Sequence, residues 1–281
     1  MPHEDERVLP PRARDYPVWL CDVWGVVHDG VRTYPGSVDA LQRFRAGGGT
    51  VVLITNAPRP AETVAVQLEQ FSVGPASYDL IVTSGDVTQD LIAQSGMRRV
   101  FHLGPGRDLP FFDDLEVELA EPDRADAVVC TGLLEDEDEV ADDYRDMLSG
   151  FVKSGLPLYC ANPDLVVRRG DALVPCAGAL AELYGRLGGE VVIAGKPHAP
   201  IYRRTFDLLR DRRGESVPKG ELLVIGDGIV TDIKGAADFG LDALFVTGGI
   251  HAEAAERTRA IEQAGRMLGD RLVGVVDELS W

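Results

Sequence analysis

The sequence predicts an open, parallel α/β sheet with a smaller α/β unit inserted into it. Three observations carry this expectation. Short apolar runs of the kind that are buried on both faces of a parallel sheet recur near residues 18–22, 50–54, 78–83, 221–225 and 242–246. Segments with helical spacing separate them, and a β-α-β-α order implies right-handed crossovers within one sheet. Between about residue 97 and residue 189 a separate alternation of short strands and helices interrupts the series, so a second unit with its own core lies inside a discontinuous larger one.

Taken in order, residues 1–16 are charged and Pro-containing, a loosely attached lead-in with a short helix. The first strand, 18–22, delivers Asp22 at its carboxyl end, after which Gly25 and Gly30 break the run. Val38, Leu41 and Phe44 give 37–46 helical spacing; Pro35 precedes this helix and Gly47 to Gly49 end it. The second strand ends in Thr55-Asn56, and the prolines at 58 and 60 start the next helix, 61–71. A third strand at 78–83 runs into Ser84-Gly85-Asp86 and a helix to about 95.

In the second unit, 99–103, 127–130 and 158–160 are short strands, 140–154 is a helix with an acidic outer face, 173–175 is extended and 179–187 is helical. The first pattern is then expected to resume with a strand at 190–194, followed by Gly195-Lys196-Pro197 and a helix at 200–210. The run 221–225 enters Gly226-Asp227-Gly228. Helix 231–239, strand 242–246, helix 252–265 and an edge strand at 272–276 complete the chain.

Composition bounds the function. The chain has 281 residues and a formal charge of -18, which argues against nucleic-acid binding and against an anionic membrane surface. Much of the acidity lies between Glu135 and Asp146, a solvated helix face. The four cysteines, Cys21, Cys130, Cys160 and Cys176, lack metal-binding spacing and suit a reduced, cytoplasmic setting. No apolar stretch is long enough to span a bilayer, and the first residues lack a signal-peptide core.

The chemistry concentrates where strands end. Asp22, Thr55-Asn56, Lys196, and Asp227 with Asp232 each follow an apolar run, and the carboxyl ends of parallel strands share one edge. Asp22 and Asp227 offer hard oxygen ligands for a cation such as Mg²⁺, with Asp232 five residues on. The Thr55 hydroxyl can donate to a phosphoryl oxygen, and Lys196 supplies a positive charge. Phosphoryl transfer uses such a set of nucleophile, cation and donors. Singly, each has a structural reading: a helix cap for Thr55-Asn56, a surface turn for Lys196, a first-turn acid for Asp232. Their joint order favours the functional one.

On Asp22-Val23-Trp24-Gly25-Val26-Val27-His28-Asp29-Gly30, Leu53-Ile54-Thr55-Asn56, Gly195-Lys196-Pro197 and Gly226-Asp227-Gly228 with Thr231-Asp232, the chain resembles the haloacid dehalogenase (HAD) superfamily, and within it the NagD-like subfamily IIA hydrolases. The resemblance implies a Rossmann-like core over 1–85 and 190–281, with an α/β cap of the C2 type over 86–189. It implies Asp22 as the nucleophile that forms an aspartyl-phosphate, Thr55 at the phosphoryl group, and Lys196 steadying both. Asp22, Asp227, Asp232 and the backbone carbonyl of Trp24 would hold Mg²⁺. Asn56, Arg59 and, from the cap, Asn162 would meet the substrate, a small phosphorylated metabolite. It further implies a homodimer formed through the cap.

The sequence departs from the family at Trp24. Family phosphatases usually carry there a second Asp that protonates the leaving alcohol and then activates water, whereas indole offers a single N–H donor. Three readings follow. The substrate has a good leaving group; or His28, Asp29 or a substrate group supplies the proton; or the chain binds a phosphorylated ligand with little or no turnover. Phosphonatase- or dehalogenase-type hydrolysis is a further alternative. The structural reading of Trp24 is a residue packed beneath the cap.

Overall fold

The computed structural model describes residues 9–249 and 254–281. The lead-in before residue 9 and the start of the helix expected at 252 lie outside the described residues. In chain order the elements are β1 (Val18–Cys21), α1 (Pro35–Ala46), β2 (Thr50–Thr55), α2 (Ala61–Gln70), β3 (Leu80–Thr83) and α3 (Ser84–Ser95). There follow β4 (Arg99–Leu103), β5 (Glu118–Leu119), β6 (Ala127–Cys130), α4 (Arg145–Lys153), β7 (Leu158–Cys160), β8 (Val166–Arg169), β9 (Ala172–Pro175), α5 (Ala177–Arg186) and β10 (Val191–Ile193). The chain closes with α6 (Ala199–Arg213), β11 (Leu222–Gly226), α7 (Lys234–Phe239), β12 (Asp242–Val246), α8 (Ala254–Leu268) and β13 (Leu272–Val276).

Six strands form one sheet in the order β13-β12-β11-β1-β2-β3, parallel throughout. β1 sits at its centre, between β11 and β2, and all four of its residues are buried. Alternation across the pleat sends Trp19 and Cys21 into one core and Val18 and Leu20 into the other. The first core is closed by Ala40, Leu41 and Phe44 of α1 and Val64 and Leu68 of α2; the second by Ile201, Tyr202 and Leu209 of α6 and by Ala236, Ala260 and Ala264. The sheet is therefore covered on both faces, which is why its strands read as unbroken apolar runs. Trp19 is fully buried, stacks on Phe44 at a centroid distance of 3.7 Å, and donates its indole N–H to the Ala13 carbonyl at 3.0 Å.

The second sheet, β10-β7-β6-β4-β5, is also parallel. Leu148, Phe151, Leu180 and Tyr184 pack on one of its faces, and Ile92, Phe111 and Phe112 gather in a separate cluster with Val100 and Val129. α3 serves both sheets, giving Val87 to the core of the larger and Ile92 to the smaller. The antiparallel hairpin β8–β9 stands apart from both.

Two expectations need correction. The strand at 190–194 does not rejoin the first sheet: Val191–Ile193 pairs in parallel with Leu158–Cys160 and is an edge of the second. An isolated run of three or four apolar residues carries no signal of which sheet it will join. The chain returns to the larger unit only after β10, so Lys196 rides on the connection between the two sheets rather than on a strand end of the first. The hairpin was legible only as an extended piece at 173–175, because Val166-Val167-Arg168-Arg169 has little apolar alternation.

Replacing Trp19 by Ala removes a stacked, fully buried ring and orphans a carbonyl. We expect a loss of about 3 to 5 kcal/mol, read as a lower midpoint in urea unfolding, with Val230→Ala, an exposed position, leaving the midpoint within about 0.5 kcal/mol.

Candidate active site

β1 ends at Cys21, but the ladder runs one residue further: the Asp22 N–H donates to the Ile225 carbonyl at 2.8 Å. The Asp22 side chain is thereby fixed at the carboxyl edge of the central strand. β11 delivers Asp227 beside it, and the helical turn Ile229–Ile233 after β11 brings Asp232 back to the same point. Carboxylate oxygens of Asp22, Asp227 and Asp232 lie within 4.8 Å of one another, and all three residues are buried.

Lys196 closes this cluster. Its Nζ donates to Asp22 Oδ1 at 2.6 Å and to Asp232 Oδ1 at 2.7 Å, and the side chain is only 2% exposed. Its backbone is anchored as firmly. The Lys196 N–H donates to Asn56 Oδ1 at 2.7 Å, and Asn56 Nδ2 donates to the Lys196 carbonyl at 3.3 Å. The same amide donates to Asp164 Oδ1 at 2.8 Å, so Asn56 ties β2 to both crossings from the smaller unit. Asp232 Oδ2 in turn accepts from the Gly228 N–H at 3.0 Å and the Thr231 hydroxyl at 3.3 Å.

Two glycines make room for Asp227. A Cβ on Gly25 would stand 2.1 Å from Asp227 Oδ2, and one on Gly249 would stand 2.0 Å from it. Gly25 also has a φ of 85°, in the region that favours glycine. Gly226 admits Asp232 in the same way, its Cβ position lying 2.3 Å from the Asp232 carboxyl carbon.

The charges do not balance within the cluster, where one lysine faces three carboxylates. Burial pushes the Asp22 carboxyl well above the usual range; repulsion from Asp232 and Asp227 adds to this and Lys196 opposes it. Burial alone would drive a proton from Lys196, but the Asp22 and Asp232 carboxylates outweigh it and hold the ammonium form. A hard divalent cation fits this arrangement, because it would relieve the carboxylate repulsion with the oxygen donors it prefers. Asp22, Asp227 and Asp232 are the residues placed to hold it.

The other residues singled out from sequence divide into two groups. Thr55 lines the same cavity as Asp22 and Lys196, and its Oγ1 accepts from the Ala57 N–H at 3.2 Å. Arg59 and Asn162 do not reach this cavity. They line an adjacent one, where Arg59 Nε pairs with the buried Asp108 Oδ1 at 3.0 Å and Asn162 Oδ1 accepts from the Asp164 N–H at 3.0 Å.

Trp24, in the loop after β1, turns its indole toward the smaller unit. Nε1 donates to the Arg168 carbonyl in β8 at 2.7 Å, and the ring covers Gly30, whose Cβ would lie 2.4 Å from Trp24 Cη2. The Gly170 N–H at the hairpin tip donates to the Asp29 carbonyl at 3.3 Å. The hairpin is thus seated on the 24–30 loop. His28 is a packed loop residue: its ring stacks on Phe71 at 4.5 Å, its Nδ1 accepts from the Gly30 N–H at 3.0 Å, and desolvation lowers its pKa to about 4. Asp29 Oδ1 accepts from the N–H groups of Val31 at 2.9 Å and Arg32 at 2.6 Å, a turn that holds its carboxyl below the usual range against the opposing effect of burial. Asp29 lines the cavity with Asp22, whereas His28 lines only the adjacent one. Asp164 lines the cavity with Asp22, and so does Tyr34, which sequence reasoning overlooked because nothing in the sequence marks it.

The fold and site define a capped, Rossmann-like α/β protein with a carboxylate–lysine centre at the edge of its main sheet. A family model for haloacid dehalogenase-like hydrolases matches residues 19–118, and a second, HAD-hydrolase-like model matches residues 193–273. A hydrolase of the haloacid dehalogenase-like family from Brucella suis 1330 is 46% identical and superposes with a TM-score of 0.87 over 97% of this chain and 99% of that one. Glycerol phosphate phosphatase Rv1692 from Mycobacterium tuberculosis, solved in complex with calcium, is 27% identical, with a TM-score of 0.65 over 85% of this chain and 68% of that one. NagD from E. coli K-12 shares the fold, at 21% identity and a TM-score of 0.70 over 94% and 97% of the two chains. The chain belongs to the haloacid dehalogenase-like hydrolase family and has the architecture of its NagD-like members.

Gly25→Ala should displace Asp227 while leaving the sheets intact. We expect at least a tenfold loss of divalent-cation affinity by calorimetry with an unchanged far-ultraviolet circular dichroism spectrum. His28 gives a pH prediction. Unfolded, its ring takes a proton below about pH 6.5; folded, it resists protonation until about pH 4. The unfolded chain therefore binds more protons in that window, and stability is lost as pH falls through it, by roughly 3 kcal/mol from this residue. Urea unfolding at pH 7 and pH 4.5 should show a smaller acid loss in His28→Gln than in the parent.

Proposed function

We propose that the protein is a divalent-cation-dependent phosphoric ester hydrolase or phosphotransferase acting on a small phosphorylated metabolite through an aspartyl-phosphate at Asp22. The observation that carries this reading is the buried Lys196 ammonium held between Asp22 and Asp232, with Asp227 completing the cluster. Asp22 attacks phosphorus as the ester P–O bond breaks, the alcohol oxygen keeping the electron pair and taking a proton from solvent; water then attacks phosphorus, loses its proton to solvent, and releases the Asp22 carboxylate and inorganic phosphate. Lys196 keeps the nucleophile oriented and offsets the charge carried by the phosphoryl oxygens. The Thr55 hydroxyl, already an acceptor from Ala57, keeps its own proton for one of those oxygens. Mg²⁺, held by Asp22, Asp227, Asp232 and the Trp24 carbonyl, would supply Lewis-acid stabilisation of the transferring group.

The Brucella relative supports a hydrolase. The mycobacterial relative, a phosphatase solved with a divalent cation, supports both the ester class and the ion. A cytoplasmic setting belongs to the same proposal, since all four cysteines are buried and unpaired. A second reading, a phospho-ligand-binding protein with little turnover, is favoured by one observation. The indole N–H of Trp24 is spent on Arg168 and has replaced an acid.

A single comparison separates the two. Incubated with p-nitrophenyl phosphate and Mg²⁺, the parent should release p-nitrophenol, and chelation or Asp22→Asn should cut the rate at least a thousandfold. Acid quench should trap a phosphorylated protein, with mass spectrometry locating the phosphate on Asp22. Saturable binding without turnover would establish the binding protein instead.

A further inference from the structure

The cavity that opens on Asp22, about 260 Å³ in volume, is lined by Lys196 and Asp227 and by residues 163–168 of the smaller unit. In an in-line displacement the leaving oxygen departs on the side of phosphorus away from the nucleophile. Asp22 stands on the larger sheet, so an oxygen leaving from it moves toward the segment that the smaller unit supplies. Asp164 is the one acidic residue of that segment.

Asp164 is held in place from several sides. Its N–H donates to Asn162 Oδ1 at 3.0 Å, and the next carbonyl, of Leu165, accepts from the Cys176 N–H at 3.0 Å. Gly178 packs so closely that a Cβ there would stand 2.4 Å from the Asp164 carbonyl oxygen. The side chain is fixed through Oδ1, which accepts from Asn56 Nδ2 at 2.8 Å; no described residue donates to Oδ2. Trp24 extends the hold, since its bond to the Arg168 carbonyl ties β8, which begins two residues after Asp164, to the nucleophile's loop. The side chain standing where family phosphatases carry their acid thus clasps the segment that bears Asp164.

The protons available in the cavity single out the same group. A general acid works best with a pKa near the working pH. Asp29 is held below the usual carboxylate range and burial pushes the Tyr34 phenol up to about 12, each away from neutrality. Lys196 is held as the ammonium by two carboxylates, and the Arg168 guanidinium keeps its proton. Asp164 moves toward neutrality. The residue is half-buried, but protein encloses its carboxyl, and desolvation pushes it up; the Asn56 bond and the Lys196 charge oppose this and Asp232 adds to it. The neighbouring Cys176 thiol is itself pushed up by burial and stays uncharged.

Resting on the phosphatase reading, we propose that Asp164 is the catalytic acid and base of the reaction, supplying from the smaller unit the proton transfer that Trp24 cannot. As the Asp22 Oδ–phosphorus bond forms and the phosphorus–alcohol oxygen bond breaks, that oxygen keeps the electron pair. It takes its proton from the Asp164 carboxyl rather than from solvent. The Asp164 carboxylate left behind then accepts a proton from the water that attacks phosphorus. Asp22 departs with its electron pair, inorganic phosphate is released, and Asp164 is again protonated.

The test sets benzyl phosphate, whose alcohol needs a proton to leave, beside p-nitrophenyl phosphate, whose phenol does not, with the full chain and Mg²⁺. Asparagine at 164 keeps an oxygen for the Asn56 amide and loses the proton. Asp164→Asn should therefore lower kcat/KM at least 100-fold for benzyl phosphate and less than fivefold for p-nitrophenyl phosphate. With the second ester the variant should also release a burst of p-nitrophenol and accumulate phosphorylated Asp22, because the base for water is gone. An equal fall for both esters overturns the proposal and leaves Asp164 a support for Asn56; an unchanged benzyl phosphate rate overturns it as well. The unaltered protein gives a reading that needs no variant. With an acid at hand, phenyl and p-nitrophenyl phosphate should lie within tenfold of each other in kcat/KM, and a wider gap overturns the proposal while leaving a phosphatase. No turnover of any of these esters overturns both readings.

Discussion

The ammonium group of Lys196, buried and shared between Asp22 and Asp232, is the interaction on which the rest of the site depends. Three buried carboxylates at the end of two adjacent strands would repel one another without it, and a buried charge left unmatched costs several kcal/mol. The lysine offsets part of that repulsion and leaves the remainder to be met by a cation. Much of the surrounding structure serves to put the ammonium there. Asn56 holds its backbone from β2, Gly195 leaves room for the Asn56 amide, with a Cβ position 2.5 Å from Oδ1, and Gly226 lets Asp232 approach.

The placement of Lys196 also explains how two sheets make one site. Asp22, Thr55 and Asp227 belong to strand ends of the larger sheet, where rigid elements fix them. Lys196 lies just after β10, an edge strand of the smaller sheet, and Asp164 lies just after β7. Asn56 bonds to both. A single side-chain amide thus couples the two connections that descend from the smaller sheet to the residues at the edge of the larger one.

The larger sheet was legible because both its faces are covered, so each strand is a plain apolar run and each run ends in a polar signature. Asp22, Thr55, Asp227 and Asp232 were found by that rule alone. Lys196 was found for a partly wrong reason: it was read as the end of a strand in the main sheet, but β10 pairs with β7. Strand membership is settled by long-range pairing that three residues do not encode. The roles of His28 and Arg59 were not legible either, because each depends on a partner far along the chain: the Phe71 ring and the Asp108 carboxylate. Hairpin β8–β9 escaped for a related reason, since its position is set by the loop it sits on.

The bond from the Trp24 indole ends on the main-chain oxygen of Arg168. Such a grip is indifferent to the side chain carried at position 168. The hairpin can therefore exchange its outward residues, and with them the ligand it greets, without losing its seat on the nucleophile's loop. Changes at the outward positions of the hairpin would then alter what is recognised while this chain's clasp between its two halves stays in place.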